Sequence, residues 1–168
     1  MFYEITVTQF SKMLHNLSRI LDKAEAHAQS KKFDVDVLLN SRLAPDQFNL
    51  LRQIQISCDM AKLTVARLAG KEAPVHEDKE ETLPELKARI ESVIGYLGTF
   101  SPKDFANSAE IKVTTPRWEG KYLSGTEYLL QHGIPNLYFH VTTAYSIIRH
   151  NGVDIGKKDY LGELPYKK

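Results

Sequence analysis

The sequence has one cysteine, Cys58, so it cannot form an internal disulfide. Proteins of oxidising compartments use cysteine in pairs, and this scarcity predicts a cytoplasmic location in a reducing cytosol. Net charge is nearly missing too: 22 Lys and Arg oppose 21 Asp and Glu, leaving +1. That balance provides no basic footprint for nucleic acid or an anionic membrane surface. No stretch approaches the roughly 20 apolar residues of a membrane span. Met1-Phe2-Tyr3-Glu4 lacks the basic-then-apolar opening of a signal peptide. There is no Ser-His-Asp spacing, no paired-cysteine metal site and no Walker motif, so no enzyme class follows from motif alone. Gly152, Gly156 and Gly162 follow a helix rather than join a strand to one, which excludes a dinucleotide loop.

What is present is helical periodicity. The 168 residues, 42% hydrophobic and 26% charged, read as one soluble helical domain over 1–168. The first helix is expected over about 6–29, opened by a Thr6/Gln9 capping box, with Phe10, Met13, Leu14, Leu17, Ile20, Leu21 and Ala24 on one stripe. Pro45 is placed to start a second, over about 46–69. Its stripe is Leu51, Ile54, Cys58, Ala61, Val65 and Leu68, and Gly70 can end it. Residues 71–81 are charged, contain Pro74 and read as a solvent loop. Thr82 and Glu85 form a capping box for a third helix over 83–97, ended by Gly98.

The stretch 99–135 is irregular. Ile111 to Thr115 alternates with period two, which suggests a short β-hairpin with its turn near Glu119-Gly120. The fourth long helix is expected over 137–151, capped by Asn136, with a tail over 152–168 running back across the bundle. Pro135 to Tyr145 is apolar or aromatic around most of its circumference, so this helix is expected deep in the bundle, with His140 near its inner face.

The chain resembles a bacterial and fungal domain-of-unknown-function family within the DinB/YfiT-like superfamily of four-helix bundles. The matching pieces are Arg42 to Asp46, Asp59 to Lys62, Ala66 to Gly70, Glu80 to Thr82, Pro135 through His140 to Tyr145, and Gly152-Val153 with Ile155 to Gly162. The resemblance implies an all-α four-helix bundle with a short β-hairpin inserted before the last long helix. The wider superfamily often holds a divalent metal through one histidine of the second helix and a His-x-x-x-His pair on a later one. Here the later pair would be His140 and Ala144, and no histidine lies between His27 and His76. A catalytic zinc needs about three protein ligands, so one imidazole does not hold it. No catalytic metal and no cofactor are expected, His140 being the one candidate single ligand.

The candidate pocket therefore centres on His140 and Tyr145 between the second and fourth helices, with Trp118 of the insertion above it and Asp59 to the side. His140 is either a histidine tucked at the bundle edge or a general base or ligand contact. Asp59 and Lys62, three apart, make either a surface ion pair or a link to another helix. Trp118, Tyr122 and Tyr128 either cover the core's end or line a ligand mouth. Cys58 sits in an apolar stripe, where a thiol is a poor nucleophile. The expected function is binding of a small molecule or partner without a bound metal. The alternatives are a DinB-like metal- or thiol-dependent transferase or hydrolase with a degenerate metal site, and a scaffold-like homodimer.

Overall fold

The structure, a computed structural model, describes residues 1–167; Lys168, the last residue of the expected tail, lies outside the described residues. Helical backbone begins at Phe2 and passes through one widened turn, Glu4–Thr8, into α1 (Gln9–Lys31). Thr6 is therefore inside the helix rather than capping it, and its hydroxyl donates to the Phe2 carbonyl at 2.8 Å. Its seven stripe residues are all buried. At full burial each large member contributes on the order of 2–5 kcal/mol against truncation to alanine.

Pro45 does not open the second helix. It lies in a turn, and α2 (Leu50–Leu68) starts four residues after the expected 46. Asn49 is the reason: its side-chain oxygen accepts from the Arg52 amide at 3.1 Å, a better cap than a proline can give. Arg42 anchors the preceding connector by donating to the Gln47 carbonyl at 3.3 Å. The enclosed helix is α2, not the later one. Besides its apolar stripe it buries Gln53, Gln55, Ser57, Lys62 and Thr64, because neighbours cover it on several sides.

In α3 (Leu83–Leu97) the Thr82/Glu85 capping box is formed, and Leu83, Leu86, Ile90, Val93 and Leu97 face the core with Arg89 among them. Gly98 follows with a right-handed φ of −65°, so no left-handed cap is used there. The insertion holds an antiparallel pair, β1 (Lys112–Val113) with β2 (Leu123–Ser124), turned by Glu119 and Gly120 at φ 50° and 83°. Then come α4 (Gly125–Tyr128), a second widened turn (Leu129–Gly133) and α5 (Ile134–His150). The last helix thus begins before Asn136, whose side chain instead donates to the His132 carbonyl at 2.8 Å. It leaves Phe139 and Thr142 exposed, so it is less enclosed than its composition suggests.

The four long helices form a bundle in which α2 packs on α3 and α5, and α1 packs on the same two from the other side. α2 and α5 run antiparallel: Gln53 meets His140 at one end and Thr64 meets Gly133 at the other. Buried apolar side chains of all four helices join in one core, which Val113, Val153 and Ile155 extend. The tail folds back through α6 (Lys157–Leu161), held to α1 where Asn16 donates to the Tyr160 carbonyl at 3.0 Å. Among the described residues, no helix is long and apolar enough to cross a membrane.

Candidate functional site

Polar groups converge most densely between α2, α3 and the segment 71–81, not on α5. Arg89 of α3 has a fully buried side chain. A buried guanidinium costs several kcal/mol unless it is paired. It donates to Asp78 at 2.6 Å and Glu80 at 3.0 Å through Nη1, and to Asp59 of α2 at 2.8 Å through Nη2. Its Nε is buried with no partner among the described residues. The expected solvent loop is therefore a strap: its residues are exposed or half-buried, but two of its carboxylates turn inward to neutralise Arg89. Burial opposes the charge on Asp78 and Glu80. Hydrogen bonds and charges outweigh it, chiefly from Arg52 and Arg89 at Asp78, and from backbone, Gln55 and Arg89 at Glu80. Both carboxyls are held below their usual range.

Lys62, only 3% exposed, lies beneath the strap. Its Nζ is 2.9 Å from Asp59 Oδ1 and 2.6 Å from His76 Nδ1. Asp59 and Lys62 are thus an internal pair that ties α2 to α3 and the strap. An ammonium has only donors, so His76 must accept at Nδ1 and carry its proton on Nε2, which lies 3.5 Å from Ser92 Oγ. Burial, then the charges of Lys62 and Arg89, lower the His76 pKa. The chain Ser92, His76, Lys62, Asp59 looks like a nucleophile with its base and orienting acid, but it is wired in reverse. The imidazole nitrogen facing Ser92 already holds a proton and cannot remove another. Nε2–H reaches Ser92 Oγ only at 3.5 Å, a long contact that leaves both groups able to donate elsewhere. The two stand at the edge of an open cleft of about 490 Å³ whose lining adds Val75 and Ala88 and the charged Glu77, Lys79, Glu80, Glu85 and Arg89.

Cys58 sits next to this cluster in sequence, but its side chain is enclosed in the core. Burial pushes its thiol up to about 12, the surrounding charges partly offsetting one another.

His140 stands in a different place, on the seam of α2 and α5. Its Nδ1 is 2.7 Å from Oε1 of the buried Gln53, whose amide nitrogen donates to the Phe48 carbonyl at 3.1 Å. The Gln53 oxygen must then accept, so Nδ1 carries the proton and Nε2 the lone pair. Burial, and secondarily the Arg52 charge, lower the His140 pKa, which keeps the ring neutral at pH 7. The exposed Phe139 ring meets the imidazole edge-on at 5.1 Å, and the exposed Phe48 ring lies 6.0 Å from the Arg52 guanidinium.

Tyr145 packs on Tyr160 of the tail at 6.0 Å. Trp118 packs on Tyr128 and His132 at 6.1 and 5.4 Å, and Arg67 donates to the Tyr128 hydroxyl at 3.0 Å. Asp59 belongs to the Arg89 cluster. The four candidate residues, His140, Tyr145, Trp118 and Asp59, therefore occupy four separate surroundings. Sequence reasoning missed Arg89, Asp78, Glu80 and His76. The available signal was an arginine three residues from Leu86 and four from Val93, on the apolar stripe of α3, following an acidic segment.

The donors beside His140 do not fit the divalent metal that the superfamily resemblance implies. Position 144 is alanine, Gln53 offers a neutral oxygen already bound to His140, and Arg52 disfavours a second cation nearby. Among the described residues, no three of His, Cys, Asp and Glu gather as a metal site.

A family model described as "Domain of unknown function (DUF1993)" matches residues 2–161. The crystal structure of a DinB family member protein from Shewanella denitrificans is 64% identical to this chain. The match covers 100% of this chain and 96% of that one, with a TM-score of 0.97. No curated protein matches.

Proposed function

The chain belongs to the DUF1993 family, with the fold of a DinB family member, and from that premise we propose that it is a cytosolic binding protein working without a resident transition metal. Its ligand is a small molecule that presents a hydrogen-bond donor beside an apolar group. The observation that carries this reading is the Gln53–His140 pair. A buried amide fixes the tautomer so that His140 Nε2 is a ready acceptor, and the exposed Phe139 edge supplies apolar surface next to it. The single cysteine supports a reducing compartment.

Thermal shift with aromatic amines and alcohols as probes tests the reading on the wild type and His140→Ala. Stabilisation of the wild type that His140→Ala loses is expected. Equal stabilisation of both proteins removes His140 from the site. The same exposed aromatics would suit a second copy of the chain, and sedimentation of the wild type against Phe139→Ser separates that arrangement from ligand binding.

A further inference from the structure

We propose that the cleft beneath the strap is a separate binding site for a small monocarboxylate, with the carboxylate seated on His76 Nε2–H and Ser92 Oγ–H. The unusual feature is what stands behind the imidazole. The buried Lys62 ammonium donates to Nδ1 at 2.6 Å, which fixes the outward proton and polarises the ring. Donors that are themselves hydrogen-bonded to a cation strengthen cooperatively. The site thus projects part of a buried positive charge to the cleft through a neutral ring, beside Lys79 and the carboxylates of Glu77, Glu80 and Glu85 that also line it. Arg89 also lines the cleft, but its Nη atoms are taken by Asp59, Asp78 and Glu80, and its Nε is buried.

The surroundings choose the ligand's charge and size. The acidic neighbours are largely engaged: Glu80 with Arg89 and Gln55, Glu85 with the amides of Glu81 and Thr82, and Glu77 with Lys79. They still leave the cleft unfavourable to a doubly charged anion. A carboxylate carries one charge on two oxygens, which matches two neighbouring donors. Val75 and Ala88 in the lining offer apolar surface for a short tail.

Sodium propionate is the probe, with propionamide, propylammonium and inorganic phosphate as controls, read by ring and amide NMR shifts of His76 and Ser92. Propionate is expected to move both resonances, and Ser92→Ala to weaken it by about tenfold, as the loss of a hydrogen bond to a charged group does. Ser92 is exposed, so that variant keeps the fold even if His76→Phe does not. His140→Ala must leave propionate binding unchanged, which separates this site from the one on α5. Equal shifts from propylammonium, tighter binding of phosphate, no response to propionate, or an unaffected Ser92→Ala would each overturn the assignment.

Discussion

Lys62 Nζ and His76 Nδ1 lie 2.6 Å apart, an ammonium donating to an imidazole. A proton on that nitrogen would set two cations at contact distance, so the pair reports on pH. His76 has a folded pKa below its ordinary 6.5. Between those two values the unfolded chain binds more protons, so stability rises with pH there. The stabilisation is present above pH 6.5 and is lost as the pH falls through the lowered folded pKa. His132 and His140 are also lowered, chiefly by burial, and act in the same direction. The melting temperature should fall between about pH 7.5 and about pH 5, and His76→Gln should flatten that fall. A slope unchanged in His76→Gln would show that the pair does not control it.

Arg89 holds together three carboxylates from two parts of the chain. Its replacement by methionine keeps most of the volume but leaves Asp59, Asp78 and Glu80 facing one another. Breaking a buried ion cluster on one side costs about 3–5 kcal/mol. Urea unfolding of Arg89→Met should show a loss of that order, with Glu80→Gln much milder. A loss below about 1 kcal/mol would mean the cluster is a solvated surface feature.

Cys58 should resist iodoacetamide in the native protein at pH 8 and react fully in denaturant, because its thiol is enclosed and pushed up to about 12. Mass spectrometry counts the adduct directly. Rapid native labelling would require the α2 stripe to open.

Two glycines give opposite outcomes on replacement by alanine. At Gly125 the new Cβ would lie 1.7 Å from the Ser108 carbonyl oxygen, so backbone must move. Gly125→Ala should cost about 2 kcal/mol or more. Gly95 lies within α3 with nothing within 4 Å of a Cβ. Gly95→Ala should stabilise by about 0.5–1 kcal/mol, the helix-propensity difference. Thermal unfolding of the two variants reads both, and a stabilised Gly125→Ala would contradict the close approach.

The bundle was legible because its evidence is local. Stripes such as Phe10 to Ala24 and the Thr82/Glu85 capping box state helix, face and boundary within a few residues. The start of α2 was not, because Pro45 carries a start signal while the cap that is used, Asn49, lies four residues further along a long connector. The candidate site was least legible. Tyr145, Trp118 and His140 drew attention as aromatic or titratable groups, yet what surrounds each depends on helix order, which period does not encode. The Arg89 cluster joins positions 59, 78, 80 and 89 through two helices and a strap. Taken singly, its acidic members look like ordinary solvated charges.

The strap buries no side chain of its own from Lys71 to Thr82, and its inward ties are mainly charged groups and hydrogen bonds. Its detachment would release little oily surface, and so would leave almost no heat-capacity signature for a calorimeter to record. Added electrolyte, rather than warming, is the natural lever on it. Deuterium uptake across a potassium chloride series would therefore show this piece lifting while the helices beneath stay closed.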